Sequence, residues 1–161
     1  MRVIPSRRWP AIIVAVACAV SVSALGGSLT DLGPWYQNLT QPDIKPPDWV
    51  FGPVWTTIFT LTATAGVLAW WASEQRRGVL IGALAFNAGM NVLWSLLFFH
   101  LKRPDWALLQ VPMLWASILV LAVVCGRRRR VAGWLLLPYL AWVSLAAIVN
   151  YGVVRLNGPF S

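Results

Sequence analysis

The stretch WVFGPVWTTIFTLTATAGVLAWW, residues 49–71, carries no charged side chain and is bounded by Asp48 on one side and by Glu74, Arg76 and Arg77 on the other. About 20 consecutive apolar residues let an α-helix cross a hydrocarbon layer about 30 Å thick. A Trp at the end of such a run is at home, because an indole with one polar N–H suits headgroup depth. Trp55 lies inside the run, where its N–H wants a partner that lipid cannot supply. The chain repeats the problem: it has eleven Trp in 161 residues, and Trp94 and Trp142 also fall within apolar runs.

Four further runs of the same kind cover 9–29, 79–101, 106–125 and 131–156. Hydrophobic residues make up 58% of the chain and charged ones 11%, with a mean hydropathy of +0.67, outside the soluble globular range. The length suits one domain. The connections 72–78, 102–105 and 126–130 are short, which forces antiparallel neighbours. The expected fold is therefore an all-α integral membrane protein, a single domain over 1–161, built as a five-helix up-and-down bundle. Its first connection, 30–48, is polar, proline-bearing and long enough to cap the bundle mouth. Pro53, Pro112 and Pro138 are expected to interrupt the second, fourth and fifth spans by removing backbone hydrogen bonds.

The net charge of +8 does not indicate a nucleic-acid partner, because the basic residues punctuate the apolar runs instead of forming one face. Arg2, Arg7, Arg8, Arg76, Arg77 and Arg127 to Arg130 fall on one side of five spans. Lys45, Lys102, Arg103 and Arg155 fall on the other. The positive-inside rule then places the N-terminus in the cytoplasm and the first loop outside a cell membrane, and a bacterial cell membrane is the expected location. The first run also fits the outline of a cleaved signal peptide, with Ser21, Ser23 and Ala24 as small residues. It continues to Leu29, long for such a segment and adequate for a span.

Asp31, Asp43, Asp48, Glu74, Asp105 and His100 all fall in loops or at span ends. This argues against a proton relay and leaves no carboxylate pair, nucleophile set or metal-ligand cluster, so no metal and no required cofactor is expected. Cys18 and Cys125 read as small packed hydrophobes. The polar residues within spans are neutral: Asn87, Asn91 and Ser95 lie on one face of the third helix, and Asn150 lies in the fifth. They have two readings, interhelical hydrogen bonding or a polar strip in a cavity. Gly78, Gly82, Ala85 and Gly89, four or three apart on the third helix, would let another helix approach closely, within the monomer or in a homodimer.

Counting at 1.5 Å per residue puts Trp55 roughly 9 Å below the outer boundary, Phe59 one turn deeper, Trp94 roughly 10 Å down and Trp142 roughly 21 Å down. Trp55, Phe59 and Trp94 would share the outer half beneath the first loop, with Trp142 as a floor. Converging rings without fixed charge would suit a planar, lipid-soluble ligand, and packing or lipid contact would need no ligand at all.

The run from Trp35 to Pro42, then Pro46-Pro47-Asp48-Trp49-Val50-Phe51-Gly52-Pro53-Val54-Trp55, resembles the translocator protein / tryptophan-rich sensory protein (TspO/MBR) family. So do the N-x-x-x-N-x-x-W-S-x-x-F-F pattern from Asn87 to Phe99, and Pro138 to Trp142 followed by Asn150, Tyr151 and Arg155. The resemblance covers nearly the whole chain in order. It implies binding of porphyrins such as protoporphyrin IX, and of sterols, in a loop-capped cavity lined by Tyr36, Trp55, Phe59, Trp94, Trp142 and Ala146, with Asn87 and Tyr139 nearby. The function it implies is tetrapyrrole sensing, transport or homeostasis. Two alternatives stand beside it: light- and oxygen-dependent porphyrin degradation with Trp55 and Trp142 as redox-active candidates, and a membrane scaffold role. Val149, Tyr151 and Arg155 match the weak sterol-contact pattern proposed for the family. Gln41 replaces a common lysine, Ile44 a usual tryptophan, and Phe59 a frequent tyrosine, which touches loop contacts and relative affinities.

Overall fold

The computed structural model describes residues 9–72 and 77–160. Arg2, Arg7, Arg8, Glu74 and Arg76 of the charge argument lie outside them. The described chain is all-helical: α1 (Trp9–Leu29), a short α2 (Pro34–Gln37), α3 (Asp48–Trp71), α4 (Arg77–Ser95) continued by a π-helical turn (Leu96–His100), α5 (Pro104–Gly126), a short α6 (Arg130–Trp134) and α7 (Leu137–Asn157). Five segments are long and apolar enough to cross a membrane, α6 and α7 together forming the last. The chain is an all-α integral membrane protein.

The prolines behave unequally. Pro53 and Pro112 sit inside α3 and α5 without ending either helix, since Thr and neighbouring helices can absorb one lost hydrogen bond. Pro138 does break the fifth span: α6 stops at Trp134, and Pro138 takes a place in the first turn of α7, where its missing N–H would be unpaired anyway.

Helix α5 is the hub. It packs against α4, α6 and α7, and its buried residues enter each of three apolar clusters. Leu121, Ala122 and Cys125 join Ala65, Ala69, Leu80 and Leu136 at one end. Val111, Leu114 and Ile118 meet Ile58, Tyr139 and Val143 at mid-height. Ala107 joins Tyr36, Phe98, Phe99 and Val153 at the loop end. By contrast α1 buries no residue and leans on α3 and, less closely, α4. An evenly apolar helix can face lipid all round. Cys125 is buried, but Cys18 on α1 is exposed, so the expectation of two packed thiols is half corrected.

Polar side chains join the helices. Asn87 Nδ2 donates to Ser117 Oγ at 2.9 Å, and Asn91 Nδ2 to the Tyr139 hydroxyl at 2.9 Å. Gln110 Nε2 donates to the Met90 carbonyl at 3.0 Å. Asn150, 1% exposed, donates to the Pro104 carbonyl at 3.0 Å and accepts from the Leu108 N–H at 3.1 Å. These two groups lie four residues apart on α5, so the Asn150 amide completes a helical turn that is not its own. Each such bond contributes about 0.6–2 kcal/mol in a membrane.

One close approach needs glycine. A Cβ on Gly133 would come within 2.9 Å of Gly126 Cα and 3.0 Å of the Ala122 carbonyl oxygen, both backbone atoms that cannot swing aside. Gly133→Val is expected to cost about 1–3 kcal/mol, read as a lowered thermal midpoint of the purified protein in detergent. Asn150→Leu is expected to cost a similar amount, because the buried amide that ties α7 to α5 is lost.

Candidate functional site

Loop 30–47 is held by its own turns and by three attachments. Asp31 Oδ1 accepts from the Gly33 N–H at 2.8 Å, and Pro34 then starts α2. This turn delivers Tyr36, 6% exposed, onto the Phe99 ring at 5.7 Å between centroids. Its hydroxyl donates to Asp48 Oδ1 at 3.0 Å, and the Lys45 ammonium pairs with the same carboxylate. Burial pushes the Tyr36 phenol above its ordinary range. Burial works against the Lys45 ammonium, but its bonds to Asp48 and Tyr36 outweigh that and raise its pKa too. Farther along, the Thr40 N–H donates to Asn157 Oδ1 at 2.7 Å and Asn157 Nδ2 donates to the Thr40 carbonyl at 2.9 Å. Between these points Pro42 lies on α7 where Gly152 has no side chain; a Cβ there would be 2.8 Å from the proline ring.

Under this loop lies a small pocket of about 40 Å³. Tyr36, Gln41, Lys45 and Pro46 line it from the loop, and Phe51, Trp94, Phe98, Trp142, Ala146 and Val149 from the helices. The π-helical turn shapes one wall. Leu101 N–H reaches the Leu96 carbonyl at 2.8 Å, five residues back, and the widened turn brings the adjacent Phe98 and Phe99 both into the interior. Trp94 stacks on Phe98 at 5.1 Å, and Trp142 meets Phe51 edge-on at 5.4 Å. Sequence reasoning missed Phe51 and Phe98; Phe98 could be found only by anticipating the π turn.

Three donors at this pocket lack a partner among the described residues: Trp94 Nε1, Trp142 Nε1 and Gln41 Nε2, all buried. A buried unpaired donor costs about 1–3 kcal/mol.

A second and far larger cavity, about 740 Å³, lies between α1, α3 and α4. Phe59, Asn87 and Tyr139 line this one. The eight expected site residues are therefore divided: Tyr36, Trp94, Trp142 and Ala146 around the loop pocket; Phe59, Asn87 and Tyr139 around the cleft. Trp55 lines neither. It stacks on Phe59 at 5.4 Å and meets Tyr139 edge-on at 6.0 Å, standing between the two spaces. Trp142 is not a floor beneath Trp55, because its ring partner Phe51 lies one turn of α3 nearer the loop. The depth count assumed that all spans end in one plane, whereas α7 runs on past the start of α3 and takes the loop against Gly152 and Asn157.

The remaining expectations also resolve by face. Val149 lines the loop pocket, while Tyr151 is 53% exposed with the Arg155 guanidinium 5.9 Å from its ring centre. The sterol-contact pattern thus spans two faces of α7. A Cβ on Gly78, Gly82 or Gly89 would meet nothing within 4 Å, so packing among the described residues does not use them; Ala85 lines the cleft. Among the described residues no three His, Cys, Asp or Glu side chains gather as a metal site.

These features define a polytopic α-helical membrane protein that encloses one pocket beneath a folded connector and a wider cleft behind its first helix. Comparison with known proteins is specific. The TspO/MBR family model matches residues 12–156. The tryptophan-rich protein TspO of Chlorobaculum tepidum is 37% identical over 127 residues, 76% of this chain and 79% of the relative. Protein CrtK of Rhodobacter capsulatus is 32% identical over 146 residues, 89% of each chain. The translocator protein of Sus scrofa is 32% identical over 145 residues, 84% of this chain and 86% of the relative. The chain belongs to the TspO/MBR family of translocator and tryptophan-rich sensory proteins.

Gly152→Leu would drive a branched side chain into Pro42. The expected outcome is faster protease cleavage within residues 38–46 with unchanged helical circular dichroism. Equal cleavage rates would show that the loop does not depend on this contact.

Proposed function

We propose that this protein binds a planar, lipid-soluble tetrapyrrole of the porphyrin class beneath the first loop and serves tetrapyrrole sensing or transport. The observation that carries the reading is the set of unpaired donors at the loop pocket. Trp94, Trp142 and Gln41 offer N–H groups in an aromatic enclosure, and a ligand with acceptor atoms on a flat apolar ring would satisfy both features.

At about 40 Å³ the pocket is shut, since pockets for such ligands run to about 300–1,000 Å³. Binding therefore requires the loop to move. Apart from the Tyr36 ring and Pro42, the loop is attached by a few hydrogen bonds and one ion pair near the surface, which such a movement can break. The Lys45 ammonium, freed from Asp48, would meet a ligand carboxylate at the mouth. A displaced loop is also a signal that a partner outside the bilayer can read. We place this loop outside the cell membrane, because Arg77 and Arg127 to Arg130 lie at the opposite ends of the helices.

Trp142→Phe keeps a ring and removes the N–H. It is expected to weaken protoporphyrin IX about tenfold, measured by quenching of the remaining Trp fluorescence in detergent, and Trp142→Ala more. If neither Trp142→Phe nor Trp94→Phe alters affinity, the donors have no part in binding and the assigned site is wrong.

The open stripe Gly78, Gly82 and Gly89 on α4 favours a homodimer through that helix. Gly82→Leu is expected to abolish the cross-linked dimer in nanodiscs; an unchanged dimer yield would remove α4 from the interface.

A further inference from the structure

We infer that the arginine-rich corner between α5 and α6 is a binding site for an anionic phospholipid of the leaflet at that end. The inference does not rest on porphyrin binding, because this corner lies at the opposite end of the bundle from the loop pocket.

The corner is built outward from a contact between two glycines. Gly126 ends α5, and Gly133 lies in α6. A Cβ on Gly133 would stand 2.9 Å from Gly126 Cα, so the two helices touch there and residues 127–132 form a closed link. The backbone of that link is satisfied from within. The N–H groups of Arg128 and Arg129 both donate to the Cys125 carbonyl, at 3.1 and 2.9 Å, and that of Ala132 donates to the Arg129 carbonyl at 2.9 Å. Arg127 to Arg130 are thereby held in one place instead of being spread along a helix. Arg128 is partly buried, and Arg127, Arg129 and Arg130 are exposed. Arg77, also exposed, lies over Trp70 with its guanidinium 4.3 Å from the ring centre. Leu80, about one turn beyond Arg77, packs in the same cluster as Cys125 and Ala132, which brings Arg77 to the same end of the bundle.

Gathered cations repel one another unless an anion lies among them. Asp31, Asp43, Asp48 and Asp105 are all at the loop end, in the first loop or at the starts of α3 and α5. Glu74 is the acid that the sequence places near these arginines, and it lies outside the described residues. A single carboxylate cannot balance Arg77 together with Arg127 to Arg130.

The position of the corner selects a lipid. One span ends at Arg128 and the next begins at Arg130, so the link sits at the boundary where the phosphates of a leaflet lie. Val131, Trp134 and Leu137 are exposed beside it, and Trp134 shares a face of α6 with Arg130. A free phosphate would meet the charges and leave these apolar side chains bare. A phospholipid meets the charges with its head and covers the apolar side chains with its tails. Guanidinium groups engage phosphate oxygens in pairs, and basic clusters between spans suit anionic heads. A zwitterionic head carries its own cation beside the phosphate, so a net negative head fits the corner better.

The test uses the full-length protein in nanodiscs of equal parts phosphatidylglycerol and phosphatidylcholine, with retained lipid read by native mass spectrometry. The parent is expected to retain phosphatidylglycerol about fivefold or more over phosphatidylcholine. Arg129→Gln with Arg130→Gln removes two charges and should bring the ratio to about one. Lys102→Glu changes the net charge by the same amount at the loop end and should leave the ratio as it is. Should the glutamine pair disturb insertion, Arg129→Lys with Arg130→Lys keeps the charge and loses the forked guanidinium; it is expected to lower the ratio about threefold. No preference in the parent, an equal loss in Lys102→Glu, or an unchanged ratio in either arginine pair would overturn the inference. So would release of the lipid by inorganic phosphate, or by an RNA oligonucleotide, at the concentration of the lipid.

Discussion

A bilayer core supplies no water, so every polar group placed there must find its partner in the protein, and that constraint organises this fold around α5. Asn150 of α7 is set into the first turn of α5, pairing with the Pro104 carbonyl and the Leu108 N–H. Ser117 receives Asn87 from α4 at mid-height, and Gln110 reaches back to the Met90 carbonyl. Apolar side chains alone would not choose among helix orders, since lipid is as apolar as leucine. These pairs do choose. They fix α4 and α7 on α5, and the three apolar clusters fill in behind them. Helix α1 has no such bond to the others among the described residues and buries nothing, which is why the wide cleft opens on its side.

The same reasoning explains why most of the architecture was legible in the sequence. Runs without charge, bounded by Asp and Arg, leave a helix no choice but to span, and the boundaries fell within a few residues of the helices. Asn87, Asn91 and Asn150 were recognisable as polar residues in apolar runs; that all three are buried and bonded favours the structural reading for their existing contacts. Connection lengths announced antiparallel neighbours. Pro138 read correctly as an interruption, because it falls where one helix can end and another begin.

What the sequence left hidden are quantities that depend on register between helices. Trp142 looked deeper than Trp55 because the count assumed a common end plane. Nothing in the spacing of residues reveals that α7 overshoots α3, or that Gly152 is bare so that Pro42 can lie against it. The π turn at Leu96–His100 is equally silent: a single extra residue in one turn rotates Phe98 and Phe99 inward, and no periodicity signals it. Asp48 read as a boundary charge, yet it receives both Tyr36 and Lys45. Long-range pairing of loop and helix end is the part of a fold that composition cannot encode.

Register also accounts for the division of the site. Residues about two turns apart on α3 face different spaces: Phe51 meets Trp142 beside the loop pocket, and Phe59 lines the cleft. Trp55 lies between them and touches Phe59 and Tyr139, both of the cleft. Trp55, Phe59 and Tyr139 therefore form a wall of rings packed face and edge between the two spaces. Such a wall transmits displacement, because a ring in close packing cannot tilt without moving the one it stacks on. At membrane depth Trp55 thus lines neither space and is held by ring contacts with Phe59 and Tyr139.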